Sequence, residues 1–154
     1  MKLKKFLVIA VALCMFTLSQ AAYANEVTPF ATGIGDTEAT ALVRPFGINE
    51  FNTWLTDAND VDWYKYTNNT NTNHYIRAEL WHPSTFVKYK FEAKIVYDAL
   101  HSTSMLQSSN VGVFNLFQGL QIPPGATFYM KVSTDSSVFD PNDRFYKLWT
   151  NIYQ

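Results

Sequence analysis

The chain has 154 residues, of which 47% are hydrophobic, 16% aromatic and 16% charged. Three of its 12 Lys and Arg residues fall within the first five positions, so the rest of the chain carries 9 basic against 13 acidic residues. A mildly acidic domain without a basic run does not suit nucleic acid or an anionic membrane surface. Beyond the N-terminal segment, roughly 130 residues remain, enough for one domain with a single hydrophobic core.

The N-terminal segment has the pattern of a cleaved export signal. Its lysines precede an apolar stretch at 6–18, shorter than the roughly 20 residues that a membrane-spanning helix needs. Residues 22–24 read Ala-Tyr-Ala, the small-residue pattern that a signal peptidase requires, so we expect residues 1–24 to be removed. An uncleaved membrane anchor is the alternative, and after cleavage no stable membrane insertion is expected.

Cys14, the only cysteine, lies inside that apolar stretch. Leu13 precedes it where a lipid-attachment site normally has a small residue, which disfavours lipidation. Cleavage after Ala24 leaves a mature chain without a thiol, and this excludes a disulfide, a cysteine-ligated zinc ion and a thiol nucleophile. We therefore expect a secreted or envelope-associated protein that packing stabilises, with or without help from a metal.

Residues 25–47 have weak periodicity and predict a leader laid along the edge of a domain, with a short helical turn across 36–43 as an option. From residue 48 to 154 the pattern has a period of two, with turn residues between the segments. Strands are predicted at 60–66, 75–81, 91–98, 111–117, 127–132 and 145–152. In the third of these, alternation places Tyr97 in the core together with Phe91, Ala93 and Ile95. With about seven or eight strands expected in all and no helical pattern, the sequence predicts an all-β fold, a two-sheet antiparallel sandwich.

Two blocks of sequence resemble a known family. Residues 55–66 read Leu-Thr-Asp-Ala-Asn-Asp-Val-Asp-Trp-Tyr-Lys-Tyr, a polar acidic turn followed by aromatic strand residues. Residues 120–132 contain a Pro-Pro-Gly turn and an aromatic strand, and Phe-Tyr-Lys-Leu-Trp follows at 145–149. Both blocks, in this order, resemble the bacterial pre-peptidase C-terminal domain, the group that includes the collagen-binding domains of clostridial collagenases. The resemblance implies a jelly-roll-like β-sandwich without catalytic residues, with roles in substrate targeting, polysaccharide or protein binding, or secretion.

The acidic turn of the first block is a candidate calcium site. Asp57, Asn59, Asp60 and Asp62 offer hard oxygen ligands along one turn, and calcium is plentiful outside cells. Some collagen-binding relatives complete such a site with acidic residues of the leader, where this chain has Glu26, Asp36 and Glu38. The alternative is that these side chains cap the turn through local bonds to the backbone. No other cofactor is predicted.

No pattern in the chain indicates catalysis. The three histidines, His74, His82 and His101, have neither metal-site spacing nor a cysteine partner. The serines near His101 lack the Gly-x-Ser-x-Gly turn of a hydrolase. Glu79 and Glu92 lie on polar strand faces beside Arg77 and Lys94, where ion pairing accounts for them better than a glycosidase pair does. We therefore predict that the protein is not an enzyme.

The aromatic residues are too many for one small core to enclose, so some must be exposed. Flat aromatic faces beside polar side chains hold sugars or extended polypeptides, whereas the alternative is that Tyr and Trp simply favour strands. The residues selected as ligand-binding candidates are Tyr75, Trp81, Tyr129 and Trp149. The sequence thus predicts a binding module for an extracellular polysaccharide or protein. The alternative function is an interaction partner, secretion aid or inhibitor of another exported protein.

Overall fold

The structure is a computed structural model that describes residues 35–83, 87–111, 114–134 and 139–154. The predicted signal peptide, Cys14 and the leader up to residue 34 lie outside the described residues. The described ranges contain ten strands and no helix, hence no helix able to cross a membrane. The strands are β1 (Leu42–Val43), β2 (Gly47–Trp54), β3 (Asp62–Thr67), β4 (His74–Trp81), β5 (Tyr89–Val96), β6 (Leu106–Gln107), β7 (Ser109–Val111), β8 (Phe114–Ile122), β9 (Thr127–Thr134) and β10 (Phe145–Tyr153).

The strands form two five-stranded sheets that pack as a sandwich. The first sheet has the order β1-β3-β9-β5-β6, and the second has the order β2-β10-β4-β8-β7. All neighbours are antiparallel except β1, which runs parallel to β3. The predicted all-β sandwich is confirmed, with ten strands instead of seven or eight. Three of the strands have only two or three residues, too few for an alternating pattern to be visible.

The core lies between the sheets and follows the predicted alternation. Ile76, Ala78 and Leu80 of β4 are fully buried, as are Phe128, Met130 and Val132 of β9. Along β4 and most of β9, every second side chain is buried because successive side chains point to opposite faces of a sheet. The sandwich core of this domain is therefore the one that period-two patterning predicts.

One core assignment was wrong, one strand was displaced, and the optional helical turn was met only in part. The strand predicted at 111–117 overlaps the end of β7 and the first part of β8, which continues to Ile122. Tyr97 was expected in the core, but its side chain is 44% exposed because β5 ends at Val96 and the chain turns there. The optional helical turn at 36–43 is limited to two overlapping turns before β1, in which the Thr40 amide donates to the Thr37 carbonyl at 3.1 Å and the Ala41 amide to the Glu38 carbonyl at 3.4 Å. Pairing with β3 supplies backbone partners that a single isolated turn of helix does not offer.

Candidate ligand-binding surface

The outer face of the second sheet carries two of the four predicted ligand-binding residues side by side. Alternation along β4 and β10 turns Leu80 and Leu148 into the core and Trp81 and Trp149 outward. In the β4–β10 register, Trp81 lies opposite Lys147 and Trp149 lies opposite Glu79. The two tryptophans therefore stand on adjacent strands of one face, separated by a mixture of charges.

An open hollow of about 310 Å³ lies between these side chains. Its lining consists of Glu79, Trp81, Phe114, Lys147 and Trp149, and we call it the aromatic groove. The Lys147 ammonium lies 5.9 Å from the centre of the Trp81 ring, within the range of a cation–π contact. The groove thus combines two indole rings, a phenyl ring, one cation and one carboxylate.

The charges around the aromatic groove are balanced. Lys147 Nζ lies 3.0 Å from Glu50 Oε1 on the neighbouring β2, and this hydrogen bond lowers the pKa of the Glu50 carboxyl. Arg77 Nε donates to Glu79 Oε1 at 2.6 Å, and its guanidinium carbon lies 5.9 Å from the Trp149 ring centre. Each cation beside a tryptophan is therefore paired with a carboxylate.

A second hollow of about 240 Å³ adjoins the aromatic groove. Arg77, Glu79, Phe114 and Leu116 line it, so the two hollows share Glu79 and Phe114. The shared residues lie on β4 and β8, which pair through Trp81 with Phe114 and through Glu79 with Leu116. The accessible surface consequently continues across these strands rather than ending at one pocket.

An aromatic row crosses four strands at one end of the same face. It consists of Trp54, Phe145, Trp81 and Phe114. Trp54 pairs with Phe145, the Phe145 and Trp81 ring centres are 6.4 Å apart, and Trp81 pairs with Phe114. The prediction selected only Trp81 from this row. The other three belong to it through strand register, which links distant parts of the chain and is not visible in local patterning.

The other two predicted ligand-binding residues lie away from the groove. Tyr75 is on the same face but six positions from Trp81 along β4, roughly 20 Å away, where it stacks on Tyr153 with ring centres 6.0 Å apart. Tyr129 projects from the outer face of the first sheet, where its ring centre lies 6.4 Å from that of Trp63. Trp81 and Trp149 are thus the pair that the fold brings together.

The histidines occupy separate structural positions. His74 is buried, with Nδ1 2.5 Å from the Tyr66 hydroxyl and Nε2 3.1 Å from Thr70 Oγ1. His101 is exposed in the turn after β5, where its Nδ1 lies 2.8 Å from the Asp98 carboxylate. That carboxylate also accepts the backbone amides of residues 100 and 101, so it closes a turn. The remaining histidine, His82, lies against the Tyr89 ring with centres 4.9 Å apart.

Glu79 and Glu92, which are not a glycosidase pair in the prediction, each form an ion pair with a basic side chain. Glu79 pairs with Arg77 along its own strand, and Glu92 pairs with Lys131 across strands at 3.1 Å. Glu92 lies on the first sheet and Glu79 on the second, so the outer faces of two different sheets carry them. Ion pairing accounts for both, as predicted, but the Glu79 pair lies within one strand, and Glu92 pairs with Lys131 in place of Lys94, whose ammonium binds Glu38.

The acidic turn before β3 is held together by its own side chains. Asp60 Oδ2 accepts the Thr56 amide at 2.6 Å and the Thr56 hydroxyl at 2.8 Å. Asp57 Oδ1 accepts the Asn59 amide at 2.7 Å, and both of these residues are exposed. Asp57 and Asn59 therefore act in the turn itself, as the capping alternative describes.

Three carboxylates nevertheless converge beside this turn. Oxygen atoms of Asp36, Asp60 and Asp62 lie within 4.8 Å of one another, and Asp60 and Asp62 are buried. Asp36 Oδ1 is also buried and has no hydrogen-bond partner among the described residues. Carboxylate oxygens are the ligands that calcium prefers, so this donor set fits the predicted ion. Asp60 and Asp62, two of the four predicted calcium ligands, belong to this group of carboxylates, and Asp36 of the leader supplies the third.

Comparison with known proteins supports the fold. No protein-family model matches the sequence, and no curated protein matches it either. The pre-peptidase C-terminal domain of collagenase from Bacillus anthracis matches over 73% of this chain and 93% of that domain, with 13% sequence identity and a TM-score of 0.51.

Two periplasmic inhibitors of g-type lysozyme also match over 73% of this chain. PliG from Aeromonas hydrophila is covered over 95% of its length, with 11% identity and a TM-score of 0.42. PliG from Salmonella Typhimurium is covered over 97%, with 7% identity and a TM-score of 0.40. The likeness to the collagenase domain confirms, at the level of the fold, the resemblance to pre-peptidase C-terminal domains.

Proposed function

We propose that this protein is an exported, non-catalytic module that binds an extracellular polymer in the aromatic groove. The observation that carries this proposal is the pair of indole rings, Trp81 and Trp149, lining one open hollow on a sheet face. Aromatic faces hold sugar rings or apolar side chains by stacking, without needing charge. Export rests on the signal pattern of residues 1–24.

The balance of charges favours a polysaccharide as the polymer. Lys147 is paired with Glu50 and Arg77 with Glu79, so the groove offers hydrogen-bonding groups without a net charge of either sign. Sugar hydroxyls donate to carboxylates and accept from ammonium and guanidinium groups, while the apolar faces of sugar rings stack on indoles. An acidic or basic polymer would have to displace these ion pairs.

Retention on an insoluble cell-wall polysaccharide tests the proposal. Trp81→Ala and Trp149→Ala should each weaken retention at least tenfold, about 1.4 kcal/mol, because each removes one stacking surface. Tyr97→Ala is the matched control, since it removes an exposed aromatic ring from the turn after β5. Unchanged retention of both tryptophan variants, with normal circular dichroism spectra, would contradict the proposal. Capture of one exported protein in place of any polymer would favour the alternative function.

We further propose that Asp36, Asp60 and Asp62 hold a calcium ion. The support is the convergence of their carboxylates and the buried Asp36 oxygen without a hydrogen-bond partner among the described residues. A bound cation would offset the repulsion between these carboxylates. Asp36 belongs to the leader and Asp60 to the turn before β3, so both residues would be tied to one point of the first sheet.

A further inference from the structure

Strand β2 is a long, open edge of the second sheet. Within the described ranges it pairs only with β10, and the register runs without a break from Gly47 to Trp54. The other edge strands of the two sheets, β1, β6 and β7, have two or three residues each. An open edge of eight residues presents a row of backbone donors and acceptors to any added strand.

Within the described residues, this strand lacks most of the devices by which proteins usually protect a sheet edge. β2 reads Gly-Ile-Asn-Glu-Phe-Asn-Thr-Trp and contains no proline, no lysine and no bulge. Its one charged residue, Glu50, forms an ion pair with Lys147 on the adjacent strand. Ile48 is 70% exposed and Trp54 is 53% exposed, so apolar side chains flank the polar centre.

The start of β2 is already ordered for pairing. Gly47 has a φ of +92°, a backbone conformation that other residues rarely adopt. The Asn49 side-chain amide donates to the carbonyls of Pro45 at 3.0 Å and of Gly47 at 3.2 Å. An incoming strand would therefore meet an edge whose first residues are already held in place, which lowers the entropic cost of association.

We infer that β2 pairs with β2 of a second copy of this chain, joining two second sheets into one continuous ten-stranded sheet. Antiparallel strands related by a two-fold axis place one residue opposite its own copy. Centring the pair on Glu50 would set two carboxylates directly opposite each other, which is unfavourable. Centring it on Asn49 or on Asn52 would set the Glu50 carboxylate opposite an apolar side chain, Ile48 or Trp54. Centring it on Phe51 sets Ile48 opposite Trp54 of the second copy and Glu50 opposite Asn52, and this register alone matches apolar with apolar and polar with polar side chains.

The selected register is self-complementary on the outer face. The Asn52 amide lies 3.3 Å from Glu50 Oε1 within one strand, so it is suited to donate to the same group across the pair. Apolar Ile48–Trp54 pairs enclose this polar centre from both ends. Strand addition would also place two aromatic grooves on one face, where a repeating polymer can engage both and be held more tightly.

Sedimentation of the purified full chain over a range of concentrations tests the inference. The expected species is a dimer, and Ile48→Lys should raise its dissociation constant at least tenfold by placing a cation in each apolar pair. Leu100→Lys, at a side chain that is 88% exposed in the turn after β5, is the matched control and should change nothing. A monomer at every concentration, or a dimer that Ile48→Lys leaves intact, would overturn the inference.

Two substitutions at Asn52 test the register, because each should change the dimer affinity and the melting temperature of the monomer in opposite directions. Asn52→Lys puts a cation opposite Glu50 of the second copy and should strengthen the dimer, whereas Asn52→Glu should weaken it. Within one chain Asn52 pairs with Lys147, so Asn52→Glu should raise the melting temperature of the monomer and Asn52→Lys should lower it. If Asn52→Glu strengthens the dimer and Asn52→Lys weakens it, or if both weaken it equally, this register is ruled out.

Discussion

The hydroxyl of Tyr146 in β10 donates a hydrogen bond to Oδ2 of Asp62 in β3, so one polar contact joins the two sheets through the core. The Tyr64 hydroxyl lies 2.5 Å from that of Tyr146 and donates to it, because the hydrogen of Tyr146 is already engaged. All three residues are at most 1% exposed. A buried carboxylate is costly unless donors face it, so Tyr146 matters beyond the strength of its own bond.

Replacing each tyrosine separately should show that the Tyr146 hydroxyl contributes more to stability than the Tyr64 hydroxyl. Tyr146→Phe takes away the donor aimed at Asp62 and should destabilise the protein by about 2–3 kcal/mol. Tyr64→Phe removes only the outer hydroxyl of the pair and should cost about 1 kcal/mol. Urea unfolding measures both values. A larger loss for Tyr64→Phe would mean that Tyr64, and not Tyr146, is the essential donor.

The same tyrosines predict a loss of stability in alkali. Burial, with the nearby Asp62 charge as a further cause, raises the pKa of Tyr64 well above its ordinary value, and burial does the same for the pKa of Tyr146. An unfolded tyrosine titrates near pH 10, so above that pH the folded chain binds more protons than the unfolded chain. Stability should be fully present below about pH 10 and fall as the pH rises further. Melting temperatures from pH 8 to 11 measure this, and Tyr64→Phe should flatten the decline.

Gly35 holds the leader against β3 in a position that tolerates no side chain. The Trp63 amide donates to the Gly35 carbonyl at 2.8 Å, and a Cβ at Gly35 would lie 2.7 Å from the Trp63 carbonyl oxygen. Its φ of +76° adds backbone strain for any other residue. We expect Gly35→Ala to lower stability by about 1–3 kcal/mol and to speed proteolysis near residue 35.

Gly119 provides the matched control for that substitution. Its φ is +70°, but a Cβ there would meet no atom within 4 Å. Gly119→Ala should therefore cost only the backbone strain, about 1 kcal/mol, without increased proteolysis near residue 35. Equal losses in the two variants would mean that the contact with Trp63 contributes nothing.

Alternation in the sequence predicted the long strands because burial on one face of a strand is a local property. The core residues of β4 and β9 were identified in this way, and the strand bounds agree to within about two residues for both. Tyr97 was misplaced because alternation continues one step past the end of β5 at Val96. The end of a strand depends on where its neighbour stops pairing, which is a long-range property.

For the same reason, the sequence predicted only some of the residues of the candidate site. Trp81 and Trp149 were selected because the chain has more aromatic residues than one small core can enclose. Phe114 joins them through the pairing of β8 with β4, and Lys147, two residues from Trp149 on β10, lies opposite Trp81 through the pairing of β10 with β4. Register between strands decides such neighbours, and a single sequence does not display it.

Calcium should stabilise the protein if the three carboxylates hold the ion. A ligand present at a hundred times its dissociation constant adds about 2.7 kcal/mol, which shifts the melting temperature of such a domain by several degrees. We expect that rise on adding calcium and its loss on adding a chelator. Asp36→Asn should remove most of the calcium response, whereas Asp57→Asn should retain it, because Asp57 is exposed and bonded to Asn59. A melting temperature that calcium does not change would contradict the site.

Substitutions at Phe114 and Tyr129 distinguish binding in the aromatic groove from binding to any exposed aromatic ring. Phe114 lines both hollows on the second sheet, so Phe114→Ala should weaken polymer retention severalfold by removing a shared wall. Tyr129 lies on the outer face of the first sheet, 5.7 Å from the Lys94 ammonium. A polymer held in the groove does not reach that face, so Tyr129→Ala should leave retention unchanged. Equal weakening of the two variants would show that the polymer contacts both sheets, and the groove alone would then be insufficient.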